Sequence, residues 1–320
     1  SLATGERTLI AEADYAGYRL SPAGKYVGTY NATDSCWYTI NLADNRKIQL
    51  TTPQTFPAWN EDNDVPNYPS PHGMAGWSKD DGALLIYDRY DIWSFDPEGK
   101  KAPVKLTKDG RQKQVTYRRI ILDREQVDID LKQPMLLTGF NEVDKSTGIY
   151  RARLVAPSTP ALLAGGAFNY SNVMKAKNAD KYIYSRENFE VFPDVWSTDG
   201  NFKKSVQLTQ GIRQQDAFIW GTTELISWIS LDGKKIEGVI YKPANFDPNK
   251  KYPMIVNFYE RNAETLYSYR MPEPHRSTID YRMYLSNGYI VFNPDNRYRD
   301  GYPGESCYNC VMPGIQAVLS

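Results

Sequence analysis

The sequence predicts a mainly β protein in two parts: blades of a partial β-propeller over residues 1–223, then the opening half of an α/β domain over residues 224–320. Two observations predict it. An aromatic strand followed by a closing leucine recurs through the first 210 residues, and continuous apolar runs replace that pattern after Glu224. A chain of 320 residues is long enough for two cores, since domains usually hold roughly 100–200 residues each.

The first part reads as short aromatic and β-branched runs broken by Gly, Asp, Asn and Pro, the composition of short strands. Trp37-Tyr38-Thr39-Ile40 precedes Gln49-Leu50-Thr51, and Ile92-Trp93-Ser94-Phe95 precedes Lys105-Leu106-Thr107. Ile149-Tyr150 precedes Leu162-Leu163, and Val195-Trp196-Ser197 precedes Gln207-Leu208-Thr209. Counted from Trp37, Trp93, Tyr150 and Trp196, the leucine follows after 13, 13, 13 and 12 residues. In two copies a turn introduces an earlier strand: Leu20 to Lys25 before Tyr26-Val27, and Trp77 to Gly82 before Ala83 to Tyr87. Repeats of about 40–50 residues with four strands each are the mark of a propeller, whose blades bury their faces against one another. Four blades are legible, as part of a larger ring; an irregular β-sandwich is the competing architecture.

After Glu224, Leu225 to Ile229 and Ile236 to Tyr241 flank Asp232-Gly233 and predict a hairpin. Pro243 to Tyr252 reads as a surface loop. Pro253 to Phe258 and Gly288 to Phe292 are short continuous apolar runs, as in parallel strands buried on both faces, with room for a crossover between them. Val311, Ile315, Val318 and Leu319 recur at helical spacing, with Pro313 expected in a first turn.

Composition excludes several classes of function. Lys plus Arg (38) equals Asp plus Glu (38) with no long run of one sign, which removes the electrostatic footprint of nucleic-acid binding. No apolar stretch approaches the ~20 residues that span a bilayer. Ser1 to Arg7 has neither a basic start nor an apolar run, so any secretory signal has been removed or lies upstream; these residues do not fix the compartment, and an exported location is favoured over a cytoplasmic one on other grounds than this segment. Cys36, Cys307 and Cys310 read as buried thiols; Cys307-x-x-Cys310 has no second Cys or His pair, so no metal and no cofactor is expected. Glu61-Asp62-Asn63-Asp64 lacks the Gly and distal Glu of a calcium loop and reads as a solvated turn.

Glu237 to Ser320 resembles the start of the catalytic domain of the prolyl oligopeptidase family of serine peptidases, nearest to its dipeptidyl and acylaminoacyl peptidase branches. Gly238-Val239-Ile240-Tyr241-Lys242-Pro243, Lys251 to Val256 and Asn287 to Asp295 carry the resemblance, with Arg297, Gly301 and Gly304 in the loop that follows. It implies an α/β-hydrolase domain, here incomplete, and a peptide substrate. In the family a Tyr after the third strand donates its hydroxyl to the oxyanion, and Tyr259 stands at the matching place, although Glu260-Arg261-Asn262 replace the usual small residues. Glu187, in Ser185 to Asn188, matches a blade region where some relatives hold a substrate's amino terminus, and Arg297 is a second candidate for substrate binding.

No Gly-x-Ser-x-Gly elbow occurs in the sequence; Gly304-Glu305-Ser306-Cys307-Tyr308 lacks the second Gly. His72 and His275 both precede the place of the nucleophile, against the order Ser, Asp, His of this fold. The resemblance therefore implies a catalytic triad beyond Ser320, no peptidase activity in residues 1–320 alone, and a Met254 to Phe258 edge awaiting a partner: the missing part of the same protein or a second copy. A non-catalytic propeller that binds peptides or proteins, and an esterase on the same fold, are the competing functions.

Overall fold

The computed structural model describes residues 4–7, 9–10, 17–211, 220–273 and 279–320. The chain divides into two compact units. One comprises Ser1–Asn63, Asn67–Gly139 and Tyr150–Ala161; the other comprises Asp64–Pro66, Phe140–Ile149 and Leu162–Ser320.

Four consecutive four-stranded sheets, each with its strands in chain order, correspond to the four predicted blades. The first holds β1 (Tyr18–Leu20), β2 (Tyr26–Asn31), β3 (Cys36–Asn41) and β4 (Lys47–Gln49), all antiparallel. The second holds β5 (Met74–Trp77), β6 (Leu84–Tyr87), β7 (Ile92–Phe95) and β8 (Val104–Lys105), again antiparallel, and is followed by the short helix α1 (Gly110–Lys113). The third holds β9 (Val115–Arg119), β10 (Pro134–Asn141), β11 (Thr147–Arg153) and β12 (Ala161–Ala164). The fourth holds β13 (Asn169–Lys175), β14 (Lys181–Glu187), β15 (Asp194–Asp199) and β16 (Val206–Gln207). This mainly β architecture bears out the predicted fold class.

In the first unit, alternate residues of neighbouring sheets interlock. Tyr30 and Trp37 of the first sheet pack with Trp77, Leu84, Ile86 and Phe95 of the second. The opposite face of the second, through Leu85, Tyr87 and Ile92, packs on Val115, Tyr117, Leu137 and Ala152 of the third. The turns read from the sequence lie side by side. Buried Asp81, in the β5–β6 turn, accepts from Ser21 Oγ (2.5 Å), Ala23 N (3.0 Å) and Lys25 N (3.2 Å) of the β1–β2 turn. Gly24 in that turn has φ +72°, a conformation that costs glycine nothing.

One feature of the repeat extends beyond the strands themselves. At the start of the third strand a backbone N–H donates to a threonine hydroxyl just past the fourth: Trp37 to Thr51 (2.8 Å), Ile92 to Thr107 (2.9 Å) and Val195 to Thr209 (2.9 Å). In the second and fourth sheets the preceding residue is a buried aspartate that accepts the threonine proton, Asp91 at 2.7 Å and Asp194 at 2.6 Å. The same carboxylate oxygen accepts from a glycine N–H, Gly110 at 3.0 Å and Gly211 at 2.9 Å. This alignment corrects the register of the repeat. Tyr38, not Trp37, is equivalent to Trp93 and Trp196, because each pairs across the ladder with the residue two before the threonine: Gln49, Lys105 and Gln207.

In the second unit, β17 (Thr222–Ile229) and β18 (Lys235–Lys242) form the predicted hairpin, with Gly233 at φ +80° in its turn. β20 (Ile290–Pro294) pairs antiparallel to β18 and parallel to β19 (Met254–Val256), so the sheet is mixed and β19 is its edge. Period-2 alternation sends Val239, Tyr241 and Val291 to one face, with Tyr281 and Leu285 of the short helix α2 (Tyr281–Ser286). Ile236, Ile240 and Phe292 go to the other, with Cys310 of α3 (Pro303–Leu319).

Helix α3 begins ten residues before Pro313, which therefore lies in its interior rather than in its first turn. An interior proline leaves the carbonyl four residues earlier without its helical donor. That carbonyl, Asn309 O, accepts instead from Leu231 N at 3.0 Å. Trp228 Nε1 donates to Cys310 O at 2.8 Å, and a Cβ on Gly314 would stand 2.6 Å from the Trp228 ring, so the helix sits close on the sheet only because residue 314 is glycine. The three cysteines are free: Cys36 and Cys310 are buried, and Cys307 is partly so. Among the described residues no helix is long and apolar enough to cross a membrane.

Candidate active site

The parallel strands β19 and β20 end side by side, and the crevice beyond the carboxyl ends of such strands is where open α/β sheets bind ligands. A cavity of about 680 Å³ lies there, within the second unit. Asn257, Phe258 and Tyr259, just past β19, form one side; Tyr269, Arg270 and Tyr281 are also in its lining.

Tyr259 combines a fixed backbone with an exposed ring. Its carbonyl accepts from Tyr298 Oη and from Asn296 Nδ2 (3.3 Å), and Asn296 N donates to Glu260 O (3.0 Å). Asp295, at the end of β20, accepts from Asn262 N and Ala263 N. Burial raises the Asp295 carboxyl above its ordinary value, although the two N–H bonds pull the other way. The loop Glu260-Arg261-Asn262 is therefore bound to the β20 terminus on both sides, while the Tyr259 side chain is 75% exposed at the cavity.

Behind the cavity, Tyr281 Oη accepts from Asn257 Nδ2 (2.7 Å) and Asn293 Nδ2 (2.8 Å), and burial raises the Tyr281 phenol. These bonds fix the α2 helix to the ends of both parallel strands. Arg282 Nε donates to Arg270 O (3.1 Å), its guanidinium lies between the Phe189 and Trp220 rings, and burial lowers its pKa to about 9.

Glu187 lies at the end of β14, half-buried. Asn169 Nδ2 donates to it at 3.2 Å and the Tyr269 backbone bonds to its carboxylate, yet burial outweighs both and raises its pKa. The structure thus connects Glu187 to Tyr269, a residue of the cavity that Tyr259 lines. Arg297 is in the β20–α3 loop, outside that lining, with its carbonyl facing the Cys310 thiol at 3.9 Å. Ser306 is buried in the first turn of α3, where its hydroxyl donates to Tyr302 O (2.7 Å) and accepts from Arg299 N (3.0 Å), a helix-start role. His72 lies in the first unit, its pKa lowered to about 4 chiefly by burial; His275 lies outside the described residues.

Blade-like four-stranded sheets are thus followed along the chain by a mixed sheet whose parallel strands end at a cavity that Tyr259 lines. No protein-family model matches the chain. It is 25% identical over 245 residues to a protein of Aspergillus oryzae named "Probable dipeptidyl-aminopeptidase B", covering 73% of this chain and 25% of that one. A Penicillium rubens protein of the same name is 24% identical over 243 residues, covering 72% and 24%. The crystal structure of Porphyromonas gingivalis dipeptidyl peptidase 4 superposes with a TM-score of 0.59 at 13% identity, over 91% of this chain and 39% of that one. The chain spans about a quarter of the length of these curated relatives. The resemblance to the prolyl oligopeptidase family read from the sequence is borne out, and the relatives are peptidases by name.

Proposed function

We propose that residues 1–320 are propeller blades and the front of the catalytic domain, divided at Glu224, of a serine peptidase that hydrolyses short peptides through an acyl-enzyme. Tyr259 carries the proposal: its phenol is exposed at a cavity beyond a parallel strand, on a backbone held by Asp295, Asn296 and Tyr298. When a nucleophile adds to the scissile carbonyl, negative charge develops on its oxygen, and a donor already held at that place stabilises the transition state without reorganisation. The Tyr259 hydroxyl is that donor. Glu187 receives the substrate's amino terminus, and Arg297 contributes to substrate binding from the β20–α3 loop. The serine, aspartate and histidine come from sequence beyond residue 320, and residues 1–320 alone are inactive.

Tyr259→Phe in the full-length protein tests this. Loss of one oxyanion donor is expected to lower kcat by about 10²–10³-fold, roughly 3–4 kcal/mol, with KM nearly unchanged. Equal kcat for variant and wild type would remove Tyr259 from the chemistry.

A further inference from the structure

We propose that Arg270 is a carboxylate-binding residue in the cavity beside Tyr259 and selects peptides that carry a single negative charge there. The proposal deepens the peptidase reading of this cavity and rests on it.

Arg270 lines the cavity, and its side chain is held by neutral groups. Its Nη2 donates to Thr265 Oγ1 (3.1 Å) and its Nε to Tyr241 Oη (3.4 Å); its guanidinium lies 4.4 Å from the Tyr281 ring centroid. Its backbone carbonyl is held by Arg282 Nε. Among the described residues no carboxylate stands within ion-pair distance of it. Other cations of the same unit have one: Lys145 with Glu237 at 2.6 Å, Lys242 with Glu224 at 2.6 Å, and Arg299 with Glu305 at 3.1 Å. A guanidinium stays charged at any physiological pH, and partial burial without a counter-ion is costly. Bonds to Thr265 and Tyr241 fix one edge of the planar fork and leave Nη1 available, a geometry suited to a carboxylate.

An acid in the same lining sets the limit on charge. Asp280 accepts from Met283 N (3.2 Å) as the N-cap of α2. With it near, a ligand bearing one carboxylate is accommodated and a polyanion is repelled. The cavity volume, about 680 Å³, is that of a pocket for a few residues of peptide. The carboxylate comes either from an acidic side chain or from the peptide's own terminus.

Three peptides of equal length separate these sources: Ala-Ala-Glu-Ala amide, Ala-Ala-Gln-Ala with a free terminal carboxylate, and neutral Ala-Ala-Gln-Ala amide. Calorimetric titration of the full-length protein is expected to show one of the two charged peptides binding at least about 10-fold tighter than the neutral one. Which one it is identifies the source. Arg270→Gln is expected to abolish the preference and Arg270→Lys to retain a reduced one; the Lys variant decides the matter if the Gln variant does not fold. Equal affinity for all three peptides, or a preference that survives Arg270→Gln, would overturn the proposal. Labelling by a serine-directed fluorophosphonate is read in parallel. A protein that labels without charge preference refutes only the role of Arg270, whereas one that never labels refutes the peptidase reading.

Discussion

In the second sheet the buried carboxylate of Asp91 receives Thr107 Oγ1, Gly110 N, Arg111 N (3.2 Å) and the Lys105 ammonium (2.7 Å). In the first sheet the thiol of Cys36 stands at the equivalent place and receives Gln49 Nε2 at 3.4 Å. The bond from the third strand to the closing threonine is the same in both, 2.8 and 2.9 Å. Closure of the ladder and the buried acid are therefore separable. What the acid adds is attachment of the turn beyond the threonine, where Gly110 leads into the helical turn Gly110–Lys113. The third sheet has no threonine just past its last strand, Ala161–Ala164, where Gly165 and Gly166 follow; at its other side Thr147 Oγ1 accepts from Tyr170 N, at the start of the fourth sheet.

The strongest way to break this comparison is Asp91→Ala. It leaves the partly exposed Lys105 ammonium and several buried N–H and O–H donors without an acceptor, so a loss of about 3–4 kcal/mol is expected in denaturant unfolding. Asp194→Ala in the fourth sheet removes an acid whose donors are all neutral: Thr209, Gly211 and Gln207 Nε2 (2.8 Å). Its expected cost is smaller, about 2–3 kcal/mol. Equal losses at the two sites would show that Lys105 contributes nothing to the difference.

Cys36→Asp sharpens the comparison from the other side. The first sheet supplies a threonine hydroxyl and the Gln49 amide near this place, and Asp34 already accepts from Cys36 N (3.0 Å) and Tyr38 Oη (2.6 Å). A second carboxylate there is under-supplied with donors and repelled, so a loss of about 1–2 kcal/mol at neutral pH is expected. Thermal unfolding at or above the wild-type midpoint would mean that the cysteine is a dispensable substitute for the acid.

What was legible in the sequence follows the range of the interactions. The blades were readable because strand alternation and turn glycines are local, and the hairpin around Gly233 for the same reason. The Asp–Thr pairing was not read, since the acid precedes the tracked aromatic and its partners lie beyond the next strand. Its signal was nonetheless present: Gln-Leu-Thr, Lys-Leu-Thr and Gln-Leu-Thr recur at residues 49–51, 105–107 and 207–209. Pro313 was misplaced because its cost is met from outside the helix, by Leu231 N. The place of Tyr259 came from a motif, but the cavity wall did not. Tyr269 and Arg270 sit in a segment with no periodicity, and only the fold brings Glu187 of the fourth sheet to the Tyr269 backbone.

Glu187 gives the smallest effect and the one that ties stability to function. It belongs to the same sheet as Asp194, yet with fewer donors its burial wins and its pKa is raised. A carboxyl titrating higher in the folded state binds more protons there than in the unfolded chain, between the ordinary Glu value and the raised one. Its stabilising contribution is thus full below the ordinary value and is lost as pH rises through the raised one. Glu187→Gln removes that dependence. Wild type should gain stability relative to the variant on acidification from pH 7 to below the ordinary Glu range, and the variant should be at least as stable at pH 7; guanidinium midpoints at both pH values measure this. A difference that stays constant with pH would mean that the carboxylate is adequately solvated. If Glu187 receives the substrate's amino terminus, the same variant raises KM in the full-length protein. Gain in stability with loss of binding is the trade expected of a charge kept under-compensated for a ligand.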